Sequence, residues 1–460
     1  MSPPAADSGE VDVVVAGAGG AGLTAALAAA DRGLSVLVVE RRSTFRHDCN
    51  TAMSTGMIPA GGSRWQRRAG IKDSPEAFLA DIDRKTSGTA DVTVARALTA
   101  IAPALTQWLS DRCALRLQVV TDFAYPGHHA PRCHAVDGRS GQTLLRGLLR
   151  QAESHPSITF MVGTRLADVT LRAGRVATAV IANAGDKEER VRTAGVILAC
   201  NGFGAARDRV SELIPEIAGA LYCGGPGSVG DALTIGERLG ADAVGLDAYQ
   251  GHGSVALPHG ILVTWAAIMN GGFIVNAQGA RFADESRGYS EFARKIISQP
   301  ESAGWVVLDG QINQACLSFT DHRRLNEAGA LRWADDPAGL ARVTDCRPDV
   351  LAATLADTAR YAASQAPDPF SRGIWARPLH PPYAAIRVTG ALFHTQGGLA
   401  VDGCARVLRG GLPLPGLFAA GGAAVGISGT GADGYLAGNG LLAALGLGLL
   451  AGRAVRRDPS

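Results

Sequence analysis

The chain of 460 residues has little that would place it among metal, nucleic-acid or membrane proteins. Its eight cysteines, Cys49, Cys113, Cys133, Cys200, Cys223, Cys316, Cys346 and Cys404, are scattered and form no CxxC pair. That leaves no zinc ribbon and no iron–sulfur ligand set, and the lack of CxxCH argues against a covalently attached c-type haem. His128, His129 and His134 cluster with Cys133 at a spacing that fits no usual zinc set, so no metal is expected. Forty-four basic and 42 acidic residues give a net charge of +2 without a lysine/arginine cluster interleaved with aromatics, which argues against nucleic acid. No stretch reaches the ~18 uncharged apolar residues that cross a bilayer. The opening MSPPAADSGE, a leader disordered in character, lacks a basic-then-apolar secretory profile, so the cytoplasm is the expected location. Aromatics make up only 5%, with seven tyrosines.

What the chain has is glycine, 59 residues of it, in a composition that is 47% hydrophobic. Residues 11–40 read VDVVVAGAGGAGLTAALAAADRGLSVLVVE. The pattern predicts a buried strand at 11–16, an alanine-rich helix at about 21–32 stopped by Gly33, and a second strand at 35–39 that ends in Glu40. Gly17 makes the tight turn, Gly19 lets backbone approach a pyrophosphate, and Gly22 lets helix and strand pack closely. Glu40 would accept a hydrogen bond from a ribose hydroxyl. A second complete fingerprint is lacking, since GGPGSVGDALTIGERLGA (224–241) has no apolar run before it and no acid behind. One dinucleotide is expected.

Length suggests two or three domains. GVILACNGFGA (195–205) suits a further strand of the same parallel sheet. Residues 158–162 and 175–181 look like strands of a small separate β-layer around a connection at 163–169. From about residue 247 polar helical segments appear, at 323–334 and 349–365, separated by prolines, as expected of a separate cap. Glycine-rich, strand-like sequence returns near 393, and an apolar helix within 434–455 closes the chain, its 13-residue apolar core too short to span a membrane. The predicted class is α/β: a Rossmann-like dinucleotide domain, discontinuous over 10–246 and 394–460, with an α+β capping domain inserted at 247–393.

Several ordered motifs then support a family resemblance: GAGGAG with Glu40, CNTAMSTGMIPAGG (49–62), VILACNGFGA, GGFIVNAQGARFADE (271–285), HTQGG (394–398) and GLFAAGGAAVG with GYLAGNG near the end. Together they resemble the fumarate reductase/succinate dehydrogenase flavoprotein family from Val11 to Arg453. The resemblance implies FAD, a cap over its isoalloxazine, and chemistry on a carbon–carbon bond beside a carbonyl or carboxylate. On these motifs the implied cofactor-binding residues are Gly17, Gly19, Gly20, Gly22, Glu40, Arg41, Asn50, Thr51, Ser54, Gly56, Gly202, Asp231, Gly421, Gly422, Asn439 and Leu441. Asn50 stands where respiratory members carry the histidine that attaches FAD, so non-covalent FAD is expected. HTQGG is similar to the family's HTMGG element, whose histidine binds a substrate carboxylate, and assigns that role to His394. His252 and Thr264, twelve residues apart, are similar to the pair that holds the far carboxylate, although the glutamate that usually follows is Trp265.

Two departures fall at the chemistry. RFADESRGYSEF (281–292) carries Tyr289 four residues after the DE acid, where fumarate reductases have a proton-delivering arginine. Tyr435 replaces the arginine that clamps the second carboxylate. Both replacements resemble the 3-ketosteroid Δ1-dehydrogenase branch, where tyrosines serve as proton acceptor and carbonyl polariser. Tyr289 is then the candidate base, with Arg287 expected to lower its pKa. Tyr435, with backbone amides around Gly438 and Asn439, is the candidate donor to an enolate. Each residue also has a plainer reading: a packing histidine at 394, His259 in competition with His252, a tyrosine packed under the flavin at 435, a solvated arginine at 287. Tyr125 is a further aromatic wall. The leading expectation is an FAD-dependent dehydrogenase acting on a CH–CH bond next to the carbonyl of a cyclic ketone, keto acid or steroid. The alternatives are a reductase of an activated C=C bond and a flavin-binding assembly subunit without turnover. The partners expected are a small-molecule substrate and an external electron acceptor such as a quinone, oxygen or a redox protein.

Overall fold

In the computed structural model, which describes residues 6–122 and 125–457, the valine run near the start becomes strand β1 (Val13–Ala16), buried along its whole length. A continuous apolar run suits a central parallel strand covered on both faces. Helix α1 (Gly20–Ala30) follows and is buried at every position, which its alanines and glycines permit. Strand β2 (Val36–Glu40) then pairs in parallel with β1, Val13 opposite Val36. The six-stranded sheet runs in the order Arg406–Arg409, Leu412–Ala419, Gly195–Leu198, β1, β2, Ile158–Val162. Its pairs are parallel except at the Arg406–Arg409 edge.

The region before residue 200 differs from its sequence reading in three places. Ile158–Val162 belongs to this main sheet, beside β2, and not to a separate layer. Residues 163–169, read as a connection, lie almost wholly within strand Thr164–Arg172, which forms a hairpin with Arg175–Asn183. Ala173 and Gly174, both at positive φ (51° and 77°), supply the two-residue turn whose twist suits a hairpin. Residues 6–10, read as a disordered leader, form a strand parallel to Glu188–Arg192 at the edge of that four-stranded sheet.

A seven-stranded sheet is built around strand β3 (Tyr249–Ala256), helix α2 (Tyr289–Ile297) and strand β4 (Tyr383–Thr395). The thirteen-residue β4 is its spine, pairing with β3, Ala303–Asp309, Arg332–Ala334 and Leu221–Tyr222. It runs through the expected boundary at 393. The segment 323–334 is not one helix: the helix ends at Glu327, Gly329 turns at φ 67°, and Arg332–Ala334 joins the sheet. Helix α2 lies directly on this sheet because three strand positions are glycine. A Cβ at Gly251 would meet the Ala293 Cβ at 2.7 Å, one at Gly253 the Phe292 Cβ at 2.9 Å, and one at Gly390 the Ala293 carbonyl at 2.4 Å. This close seat fixes where α2 begins, and Tyr289 is its first residue.

The closing helix α3 (Asn439–Ala454) packs along α1 by the same device, since a Cβ at Gly448 or Gly452 would lie 2.5 and 2.4 Å from the carbonyls of Ala21 and Ala25. Among the described residues no helix is long and apolar enough to cross a membrane.

Candidate functional site

One long cleft passes from the glycine turn after β1 to the start of α2, enclosing about 1980 Å³ of empty space with its mouth included. At the first end Gly17 sits at φ 108° with its Cα so close to the Ala199 carbonyl that a Cβ would lie 2.4 Å from it. Gly22 is tighter still, 1.8 Å from the Gly17 carbonyl oxygen to any Cβ. Helix α1 has no side-chain cap from Gly19 and no acid in its first turn, so its first-turn amides beyond Gly20 are left for an anion. Thr51 Oγ1 accepts from the Gly20 amide at 2.9 Å. The Glu40 carboxylate accepts from the Ala18 and Arg42 amides, both at 2.8 Å, and burial raises its pKa. Arg41 pairs with Asp231 across the opening. An uncapped helix start beside a carboxylate anchored at the end of the second strand fits a dinucleotide's pyrophosphate and ribose.

Of the residues expected to hold that group, Gly17, Gly19, Gly20, Glu40, Arg41, Asn50, Thr51, Ser54, Asp231, Gly421, Gly422 and Leu441 line the cleft. Gly22, Gly56, Gly202 and Asn439 do not. Gly22 spaces α1 from the turn, Gly56 (φ 64°) lies against the Ser140 backbone, and Gly202 abuts Thr395, whose Oγ1 a Cβ would meet at 2.0 Å. Asn439 is fully buried, with Nδ2 donating to Ser428 Oγ at 3.4 Å and Oδ1 unpartnered within the described residues. Asn50 Oδ1 accepts from the Gly225 amide.

At the other end the cleft is walled by His252, Thr264, Trp265, Tyr289, His394, Tyr435 and Gly438, with Tyr125, Phe319 and Phe393. His252 stacks on Tyr289, ring centroids 4.7 Å apart and planes 19° apart, and meets the edge of Trp265 at 5.7 Å. Tyr289 and Tyr435 lie 5.9 Å apart in a T-shaped contact, as do His394 and Tyr435. Burial raises the pKa of both phenols. For Tyr435 the rise is opposed in part by the neighbouring Gly440 backbone and Tyr289 hydroxyl. Burial also depresses the two histidines, His252 to about 3 and His394 to about 4, so both are neutral at pH 7. On His252, Nδ1 is 3.3 Å from the Ser254 amide and 3.1 Å from Ser254 Oγ. Because that hydroxyl donates to the Val263 carbonyl at 2.9 Å, Nδ1 accepts from the amide and the ring's N–H is on Nε2.

The expectation for Arg287 is not met. Its side chain is exposed and does not line the cleft, because the short 3₁₀ turn Glu285–Arg287 presents it to solvent just before α2 begins. Among the described residues Tyr289 therefore has no neighbouring cation that lowers its pKa. The DE acid is structural: Glu285, fully buried, accepts from Arg281 at 2.6 Å and Arg372 at 3.3 Å. Two features escaped the sequence reading. Lys85 donates to buried Glu291 at 2.8 Å and to the Arg287 carbonyl at 2.9 Å. Gln396 and Ser428, both buried, stand behind His394. Gln396 was visible as the odd residue of HTQGG, but its partner lies 32 positions on. Among the described residues no cluster of His, Cys, Asp and Glu could hold a metal ion.

The model of a family described as FAD binding domain matches residues 12–441. NADH:fumarate oxidoreductase of Klebsiella pneumoniae (strain 342) is 28% identical over 424 residues, 91% of this chain; the chain spans 45% of that relative's length. A 4-oxocyclohexanecarboxylate 2-dehydrogenase of Sinomonas cyclohexanicum is 26% identical, with 93% of this chain and 92% of the relative covered. Among solved structures, the open conformation of a flavocytochrome c3 fumarate reductase superposes with a TM-score of 0.80 at 26% identity, covering 97% of this chain and 78% of that one. The 3-ketosteroid-Δ4-(5α)-dehydrogenase of Rhodococcus jostii RHA1, in complex with 4-androstene-3,17-dione, gives 0.77 at 25% identity and covers 99% of both chains.

Proposed function

The chain belongs to the FAD binding domain family and is an FAD-dependent oxidoreductase, and from that premise we propose that it is a dehydrogenase introducing a C=C bond α,β to the carbonyl of a cyclic ketone, keto acid or 3-ketosteroid. FAD is held without a covalent bond, Asn50 standing at the position of attachment. The six-stranded sheet serves as a Rossmann-like floor, and the sheet spanned by β4 as the cap over the substrate. The observation that carries this reading is one of charge. Among the described residues the cationic side chains lining the cleft are Arg41, Arg42 and Arg165, the first two beside Glu40, while none lines the end with the phenols, where Arg139 stands behind Phe319 at 5.0 Å from its ring centroid. Two neutral imidazoles and two protonated phenols give hydrogen bonds but no counter-charge. A dicarboxylate would pay the full desolvation of two anions there, whereas a ketone needs only donors.

FAD supplies the acceptor for the hydride, chemistry that no side chain here can provide. The protein's own part is proton handling. Tyr435 donates to the substrate carbonyl while the Gly440 amide supports its oxygen, and Tyr289 faces the α-carbon. Since burial keeps Tyr289 protonated, it acts as a relay: it accepts the α-proton and passes its own to Tyr435, which passes a proton to the carbonyl oxygen. The substrate becomes its enol and no charge is left in the apolar pocket. Hydride loss from the β-carbon and release of the enol proton complete the desaturation. His252, stacked on Tyr289, and Trp265 hold that ring and exclude water.

The reverse reaction, reduction of an activated C=C bond, uses the same residues and is favoured by the fumarate oxidoreductase relatives. It extends to carbonyl-activated alkenes more readily than to fumarate, for want of the arginines. A quinone, oxygen or a redox protein is the proposed electron partner. A Tyr289→Phe variant tests the reading. Its reductive half-reaction with a responsive cyclic ketone is expected to slow about 10²- to 10⁴-fold with FAD content unchanged. A rate within threefold of the parent would remove Tyr289 from the chemistry.

A further inference from the structure

A histidine that holds a substrate oxygen must present a proton, and a neutral ring carries it on only one nitrogen. His394 lies against the first turn of α3, where a Cβ at Gly440 would stand 2.7 Å from both Cε1 and Nε2, so Nε2 is the nitrogen directed toward Tyr435 and the cleft. Nδ1 points the other way, 2.8 Å from Gln396 Nε2 and 3.3 Å from the Thr395 carbonyl. Gln396 Oε1 in turn accepts from Ser428 Oγ at 2.9 Å, and Ser428 accepts from Asn439 Nδ2 at 3.4 Å.

These contacts admit two proton arrangements. In the first, Asn439 donates to Ser428, Ser428 to Gln396, and the Gln396 amide N–H to His394 Nδ1, which leaves the ring proton on Nε2. In the second, both amides are turned over, Nδ1 carries the proton, and the direction of every bond reverses. The second leaves the whole NH₂ group of buried Asn439 unpartnered, where the first engages that nitrogen through Ser428 and leaves the carbonyl oxygen. An unpartnered buried donor is the rarer and costlier case. The 2.8 Å contact to Gln396 also outweighs the 3.3 Å approach to the neighbouring carbonyl.

We propose that Gln396, braced by Ser428 and Asn439, is a positioning residue that fixes His394 as the Nε2–H tautomer, so that His394 hands the substrate's carbonyl oxygen a second neutral donor beside the Tyr435 hydroxyl. The proposal rests on the reading of the cleft as a carbonyl site for its consequence, but not for the tautomer itself. It specifies the substrate further: the oxygen accepts two hydrogen bonds at once, as a ketone or its enolate does. It also gives a use to the glutamine of HTQGG, whose amide reaches the one ring nitrogen that does not face the cleft.

The test is ¹⁵N NMR of the FAD-loaded protein with labelled histidine, the His394 signals assigned by their loss in His394→Asn. The expected result is a bare Nδ1 and a protonated Nε2, with the ring neutral down to about pH 5. A proton on Nδ1 overturns the proposal whatever the enzyme turns out to oxidise. Gln396→Met removes the donor at similar size and is expected to leave the two tautomers mixed. Gln396→Glu supplies only acceptors, so Nδ1 is expected to become protonated and the ring to titrate at a higher pH. In kinetics on a responsive ketone, both variants are expected to lower kcat/KM about ten- to a hundred-fold, the scale seen when a partner that orients a histidine is lost, with FAD content kept. Unchanged His394 signals in Gln396→Glu would refute the role, and Ser428→Ala, which loosens the same chain from one step further back, gives the same reading should either glutamine variant fail to fold. If no ketone is oxidised by the parent, the functional reading falls while the tautomer measurement stands.

Discussion

Replacing Gly22 by alanine adds a single methyl group at the point where α1 crosses the glycine turn. That carbon would lie 1.8 Å from the Gly17 carbonyl oxygen, against 3.4 Å for an ordinary contact, and 3.2 Å from Val15 Cγ1. The obstacle is backbone, so no rotamer change relieves it, and α1 must move away from β1 by about 1.6 Å. Such a shift also strains the α1–α3 seat at Gly448 and Gly452 and turns the uncapped helix amides away from the cleft. Overpacking of this kind costs about 1–3 kcal/mol, and a backbone obstacle belongs at or above the upper figure. If 3 kcal/mol appears wholly in FAD binding, affinity falls roughly 100-fold. The assay is the flavin-to-protein absorbance ratio after gel filtration, read beside the melting temperature of the apoprotein. Gly33→Ala is the control: that glycine stops α1 at φ 80° with nothing within 4 Å of a Cβ. It should cost about 1–2 kcal/mol of backbone strain and leave FAD content unchanged. A Gly22→Ala protein with full flavin content and an unshifted melting temperature would refute the reasoning.

Glu285→Ala leaves Arg372 without its carboxylate and Arg281 with Asp368 alone, and is expected to destabilise by about 3–5 kcal/mol in urea unfolding. A loss below 1 kcal/mol would mean that the buried arginines are satisfied by their carbonyl partners. Fully buried His134 and nearly buried His252 have pKa values lowered from 6.5 to about 4 and about 3. The unfolded chain therefore binds more protons below pH 6.5, and stability must fall as pH falls through that window. Each ring costs about 2 kcal/mol at pH 5, and asparagine at either position should flatten the slope of urea-derived stability against pH between 6.5 and 4. Lys85→Met leaves Glu291 as an unpaired buried carboxylate next to the start of α2, and a drop of about 3 kcal/mol in urea-derived stability at pH 7 is expected, with the loss shrinking as pH falls because burial already favours the protonated form of Glu291.

The parts that could be read from the sequence were those whose physics is local. The turn from Gly17 to Gly22, α1 and Glu40 follow from thirty consecutive residues, and the reading missed element ends by at most two positions. The placement of Ile158–Val162 was not legible, because an apolar five-residue strand carries no mark of which sheet it joins. Nor was the seating of α2, which depends on glycines at 251, 253 and 390, the last of them more than ninety residues from the helix it admits. Tyr289 and Tyr435 could be nominated from their motif positions, but the environment that decides their acidity could not. Two residues of separation suggested that Arg287 would act on Tyr289, whereas the turn directs the two side chains apart. Gln396 was seen only as a mismatch in a motif. Its meaning depends on Ser428 and Asn439, which approach from the far side of the glycine-rich segment before α3.

The central claim is that the reacting end of the cleft is neutral and built for a carbonyl. The most direct measurement is the anaerobic reduction of the oxidised holoenzyme by a matched panel: a cyclic ketone, its ring-carboxylated keto acid, a 3-ketosteroid and succinate. Bleaching of the flavin band by at least one of the three ketones, and none by succinate, is the expected result. Bleaching by succinate alone, or reoxidation of the reduced enzyme by fumarate with no response to any ketone, would contradict it.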